Sequence, residues 1–204
     1  MSSVSFASLL CSRLCHDLVS PVGALSNGVE ILADEQSPEM REQVLGLLEQ
    51  SARQTSNRLQ FFRLAFGSGG NFAAEIDPGE GHKALAAFLD GTRIHLDWNV
   101  GTSTIDKSTL KLLLNLALVA AESVIREGEL RIDLHAPGRD GELAITASAR
   151  RLAFPDTMRA ALSGQLREDA LDPKTAPAYL AWTIACELSA TITVSFETAE
   201  TLRL

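Results

Sequence analysis

The chain has 204 residues, 46% hydrophobic and 22% charged, enough for one large domain or two small ones. Its formal net charge of -8 argues against nucleic acid or an anionic membrane as the main partner, because both are met by clustered Lys and Arg. Three cysteines give no disulfide framework, the N-terminus lacks the basic start of a signal peptide, and the longest apolar run, Leu112 to Ile125, is short and broken by Asn115, Glu122 and Ser123, so the expectation is a cytoplasmic protein that meets other proteins.

The apolar spacing predicts a first helix from about Ser5 to Asp34. At about 100° per residue, Ala7, Cys11, Leu14, Leu18, Val22, Leu25, Val29 and Leu32 fall on the side opposite His16. Ser20, Gly23 and Asn27 share the side of His16, with Ala24 and Ile31 at its margin. Pro21 lacks a backbone donor, which predicts a bend or a fresh helix start with Ser20 as N-cap. Ser37-Pro38 supplies an N-cap and an N1 proline for a second helix reaching about Phe66. Its apolar side is Met40, Val44, Leu47, Leu48, Thr55, Leu59 and Phe62, and Gly67-Ser68-Gly69-Gly70 ends it.

Two long amphipathic helices with a short connection make an antiparallel hairpin. A lone hairpin cannot bury both stripes, so the expectation is a homodimer whose two hairpins form a four-helix bundle. This places a hairpin domain at residues 1–67 and a second domain at 71–204.

The second domain reads as mixed. Strands are predicted at Phe72–Ile76, Arg93–Trp98, Glu129–His135, Glu142–Ser148 and Thr191–Glu197, with Thr201–Leu204 as a further edge strand. Helices are predicted at Pro78–Leu89, at Asp106–Arg126 with Asp106 as N-cap, at Phe154–Leu162 and at Ala176–Ser189. Gly138-Arg139-Asp140-Gly141 reads as a hairpin turn. The fold class is therefore α+β: a helical hairpin followed by an α/β sandwich, with helices on one face of a mostly antiparallel sheet.

A lone exposed histidine is ordinarily solvated, and Cys11-x-x-x-Cys15-His16 has one residue too many between its cysteines for the haem motif. Cys11 is read as packing and Cys15 as incidental. His82, His95 and His135 have no ligand-like spacing, and Trp98 and Trp182 are assigned to the core. Arg150-Arg151, Asp77, Glu80 and Glu168-Asp169 are read as solvated.

His16-Asp17-Leu18-x-Ser20-Pro21-Val22 resembles the H-box of histidine kinases, whose histidine lies on the first helix of a dimeric hairpin and carries a phosphoryl group. This context favours the bend at Pro21. The second half resembles the kinase ATP-binding domain in order of elements, with Leu112-Leu113-Leu114-Asn115-Leu116 placed in its asparagine-rich helix. The resemblance fails at the nucleotide-binding residues. The magnesium-binding asparagine falls on Val119, and Ala149-Arg150-Arg151 stands where those kinases have Asp-x-Gly-x-Gly. No glycine occurs between Asp172 and Ala185, where backbone would have to approach triphosphate.

A phosphohistidine hairpin with a degenerate ATP domain resembles the ChpT-type histidine phosphotransferases, and the run Leu10 to Ala24 is similar to their signature. The resemblance implies that His16 relays a phosphoryl group, through Nε2, between aspartates of response-regulator receiver domains, including that of a hybrid histidine kinase. It implies no cofactor bound by this chain, with Mg2+ supplied by the receiver, and no ATP-dependent kinase activity. Asp17 then orients the imidazole, raises its basicity, or is tied up by a neighbour such as Arg13. Arg13, Ser20, Gly23, Ala24 and Asn27 are assigned to receiver binding. The alternatives are an active kinase with a divergent ATP site and a non-catalytic receiver-binding adaptor.

Overall fold

The computed structural model describes residues 2–67, 75–135 and 141–204. Two long helices come first, α1 (Ser3–Asp34) and α2 (Pro38–Ala65). Ser2 caps α1 by accepting the Ser5 N–H at 3.1 Å, and Ser37 caps α2 with Pro38 in its first turn. α1 continues through Pro21, so no new helix starts there. The missing Pro21 N–H only leaves the Asp17 carbonyl without its helical donor.

The remaining elements are β1 (Glu75–Ile76), α3 (Pro78–Leu89), β2 (Arg93–Val100), β3 (Ile105–Asp106), α4 (Lys107–Ser123), β4 (Glu127–His135) and β5 (Glu142–Ser148), then α5 (Asp156–Leu162), a 3-10 turn at Glu168–Ala170, α6 (Ala176–Glu187), β6 (Ser195–Thr198) and β7 (Thr201–Arg203). β1 and β3 form a two-stranded antiparallel pair; the main sheet has the order β2-β4-β5-β7-β6. Only β2 and β4 run parallel, with Arg93 opposite Glu127; the other neighbours are antiparallel. The α+β reading and the mostly antiparallel sheet hold.

Several boundaries differ from the sequence expectation. α4 stops at Ser123, three residues early, because Val124 bridges to Leu152 and Arg126 takes a φ of 79° that a helix does not allow. Asp106 does cap it, accepting the Thr109 N–H at 2.8 Å. β7 is not an edge strand: it lies between β5 and β6 because Leu202 and Leu204 are buried, whereas every residue of β6 is exposed. Of the expected strand at Thr191–Glu197 only the end is regular, from Ser195. Ser68–Gly70, Phe72–Ala74 and Gly138–Asp140, named above in the linker, first strand and hairpin turn, lie outside the described residues. Trp98 and Trp182 are half-buried rather than core.

The core is shared between the hairpin and the sheet layer. Phe61, Phe62 and Ala65, at the end of α2, are buried in one cluster with Leu113 of α4, Leu130 of β4, Ile145 of β5 and Leu202 of β7. Phe61 stacks on Phe88 of α3 with centroids 4.3 Å apart. Asn115 is wholly buried on α4, and its Nδ2 donates to the Ala65 and Lys111 carbonyls at 2.8 Å each. The amide ties the last turn of α2 to the second domain.

The apolar face predicted for α1 splits in two. Leu14, Leu25 and Leu32 are half-buried, and Pro21 and Gly28 are buried. A Cβ on Gly28 would come within 2.7 Å of Leu48, so glycine lets α1 and α2 approach closely. Cys11, Val22 and Val29 lie further around the helix and are exposed in the single chain, which corrects the packing role expected for Cys11. Apart from Ile125 and Phe196, every exposed large hydrophobic residue among the described ones sits on α1 or α2. No helix among them is long and apolar enough to cross a membrane.

Candidate functional site

His16 projects from the middle of α1 with its side chain 78% exposed. Its Nδ1 lies 3.1 Å from Asp17 Oδ1. A carboxylate oxygen only accepts, so this contact places the ring proton on Nδ1 and leaves the Nε2 lone pair directed outward. The carboxylate is itself held. Asp17 is only 9% exposed, and its Oδ2 accepts from Arg13 Nε and Nη2, each at 3.2 Å. Arg58, from α2, approaches the same oxygen at 3.7 Å.

Arg13 lies one turn before Asp17 and is 6% exposed. Beyond Asp17 it is bound by Glu122 of α4, with Nη1 donating to Oε2 at 3.3 Å and Nη2 to Oε1. Burial pulls the Arg13 pKa down, but the two carboxylates outweigh it and hold it above its ordinary value. The structure therefore moves Arg13 from the docking face, where the sequence reading put it, into a buried bridge between α1 and the second domain. The other proposed docking residues do share the side of His16: Ser20, Ala24 and Asn27 are exposed, and Gly23 is half-buried. A Cβ on Gly23 meets nothing within 4 Å, so the track below His16 is low and open.

A cavity of about 660 Å3 separates α1 from the second domain, and His16, Arg13 and Asp17 form one of its walls. Val119 and Ser123 of α4, Phe154, Pro155, Met158 and Pro173 also line it, together with the charged Glu122, Asp172 and Lys174. Val119 is the position expected for a magnesium-binding asparagine, and it brings only methyl groups. Asp172 is occupied locally. Its Oδ1 accepts the Thr175 N–H at 2.8 Å and the Thr175 hydroxyl at 2.9 Å. Burial pushes the Asp172 carboxyl up, but these hydrogen bonds outweigh it and hold it below the usual carboxylate range.

Residues 78–200 match the family model described as the histidine phosphotransferase C-terminal domain. The whole chain is 32% identical, over 194 residues, to a protein phosphotransferase ChpT of Brucella abortus (strain 2308), covering 95% of this chain and 91% of that protein. The chain belongs to the histidine phosphotransferase family. The solved 1.7 Å structure of a bacterial phosphotransferase superposes with a TM-score of 0.87 and 32% identity, covering 100% of this chain and 96% of that one. A blue-light activated histidine kinase from Erythrobacter litoralis matches over 89% of this chain and 93% of that one, with 11% identity and a TM-score of 0.48, too loose a likeness to carry an argument.

Within this histidine phosphotransferase, Glu122 and Arg58 are the residues that sequence reasoning missed. Glu122 had left a trace, as the one charge in the largely apolar run Leu112 to Ile125, and it stands at an exposed position between buried Ala121 and Ser123. Arg58 left none, being one of several basic residues on an amphipathic helix.

Proposed function

We propose that His16 is the phosphoryl carrier and that this chain relays the group between aspartates of response-regulator receiver domains. The observation that carries the reading is the His16–Asp17 contact, which leaves Nε2 as the free nucleophile on an exposed ring. Nε2 attacks the phosphorus of an aspartyl phosphate brought by the receiver. The N–P bond forms as the P–O bond to the aspartate breaks, and the departing carboxylate stays with the receiver. The proton on Nδ1 remains against Asp17, whose negative charge offsets the positive charge arriving on the ring. The return step to a second receiver is the reverse. The chain contributes a nucleophile and a surface, while Mg2+ comes with the receiver, in keeping with phosphoryl transfer as mainly positioning and charge stabilisation.

Docking is assigned to Ser20, Gly23, Ala24 and Asn27, the small residues beside and below His16. Their low profile supports this, because bulky groups there would hold a folded domain off the imidazole. The receivers the chain serves include that of a hybrid histidine kinase.

The proposed assembly is a homodimer in which the exposed stripes of two hairpins close a four-helix bundle. Support comes from the concentration of exposed Val19, Val22, Val29, Leu45 and Leu59 on α1 and α2, apolar side chains of the kind that soluble proteins cover. In this reading the second domain, residues 71–204, is an ATP-binding fold that has lost its nucleotide chemistry; Val119 and the apolar cavity support that. The test is to incubate the protein with labelled ATP alone and, separately, with a phosphorylated receiver. Label is expected on His16 only from the receiver, and self-labelling from ATP would reverse the assignment.

A further inference from the structure

We infer that Glu122, on the second domain, is a positioning residue that sets the tautomer of His16 by acting through Arg13 and Asp17. The inference rests on the reading of His16 as the phosphoryl carrier and explains how a domain without nucleotide chemistry still serves it.

Asp17 has two oxygens and faces three possible donors. Oδ1 receives His16 Nδ1 at 3.1 Å, and Oδ2 receives Arg13 at 3.2 Å with Arg58 at 3.7 Å. Two guanidiniums against one carboxylate would draw both oxygens toward themselves, because charge-assisted, bidentate pairing with Arg is stronger than a hydrogen bond to a neutral imidazole. Glu122 prevents this. It takes the outer edge of the Arg13 fork with both of its oxygens, which turns the fork so that Arg13 reaches only Oδ2 of Asp17. With Glu122 in place, Arg13, Arg58, Asp17 and Glu122 sum to zero charge, and Oδ1 is left for the histidine.

Glu122 stands at an exposed position in the last turn of α4, where the helix dipole mildly disfavours an anion. The buried Arg13 guanidinium offsets this, and no other cation is paired with Glu122 among the described residues. The other charged groups that line the cavity are Asp172 and Lys174, and Asp172 is committed to Thr175.

The direct test is long-range 1H–15N NMR of the His16 ring in the unphosphorylated protein, with His16→Ala identifying its signals among the four histidines. In the native protein Nδ1 is expected to be protonated and Nε2 bare. In Glu122→Gln, which keeps shape and removes charge, Arg13 closes bidentately on Asp17, and the ring signals move at least halfway toward the Nε2–H tautomer. Transfer from a phosphorylated receiver falls roughly tenfold, the lower end of losses on removing an outer-shell orienting partner, with receiver affinity unchanged. Arg13→Met combined with Glu122→Gln is expected to be no slower than the worse single variant, since the two act as one unit. A native tautomer signature in Glu122→Gln, or a shifted one with native transfer, overturns the inference. If the native protein itself accepts no phosphate on His16, the carrier reading fails instead, and the NMR result still decides whether Glu122 sets the tautomer.

Discussion

His16 Nδ1 sits 3.1 Å from Asp17 Oδ1, and this single contact decides which ring nitrogen is available for chemistry. Asp17→Asn keeps the shape but offers an amide that also donates. The imidazole then accepts at Nδ1 and carries its proton on Nε2, the wrong nitrogen for attack. Transfer from a phosphorylated receiver is expected to drop on the order of 10²-fold, the scale of a lost proton-positioning partner, while circular dichroism is unchanged. Native transfer rates in this variant would show that Asp17 does not orient the ring.

Gly23→Arg separates docking from folding. The site is open, with nothing within 4 Å of an added Cβ, and glycine inside a helix is about 1 kcal/mol less favourable than a good helix former. The thermal midpoint is therefore expected to hold or rise. Receiver binding and transfer are expected to be lost together, because the long side chain occupies the track beside His16. Full transfer in Gly23→Arg contradicts the docking assignment.

The dimer is tested at Val29, which is 61% exposed in the single chain. Val29→Glu removes no intrachain packing but brings two carboxylates near the axis of a symmetric bundle. Light scattering is expected to give twice the chain mass for the native protein and one chain mass for the variant, with helical content kept. A native protein of single-chain mass contradicts the bundle.

Phe62 couples the hairpin to the second domain, since it is 1% exposed and packs edge-on against Phe88 with centroids 5.9 Å apart. Truncation to alanine is expected to cost about 3–5 kcal/mol, as for buried phenylalanines generally. Denaturation followed by helix signal and by tryptophan fluorescence should shift together, because one core spans both parts. Two separate transitions, with only the hairpin affected, would contradict the shared core.

Much of this arrangement was legible in the chain, for identifiable reasons. His16 and Asp17 are adjacent, and a helix period shows which residues share their side, so the centre of the site is local information. Arg13 was misassigned because a helical wheel shows direction but not what stands opposite; its partner Glu122 is 109 positions away. The apolar face of α1 was read as one surface. Periodicity registers that Leu25 and Val29 are apolar, yet not that the fold half-buries the first and leaves the second bare. β7 was mistaken for an edge because three or four residues of alternating pattern carry no information on which strands flank them.

The Asp172–Thr175 pair gives a pH prediction with a definite sign. Hydrogen bonds hold the Asp172 carboxyl below its unfolded value, so its stabilisation is complete above about pH 4 and is lost as pH falls through the folded value. Thr175, buried at 4% exposure, is the partner to remove: Thr175→Ala is expected to cost about 1 kcal/mol near neutrality, as for a lost hydrogen bond. Urea denaturation at pH 7 and pH 2.5 should show the gap between native and variant narrowing at the lower pH. A gap that widens in acid contradicts the assignment.

In the proposed relay His16 receives its phosphoryl group from an aspartate of another protein. The most direct measurement mixes a purified, phosphorylated receiver domain with this protein, without ATP, and maps acid-labile phosphate by mass spectrometry. Phosphate is expected on His16 Nε2, appearing as the receiver loses it and absent in His16→Ala. Phosphate that never leaves the receiver, or that appears on His82, His95 or His135 instead, contradicts it.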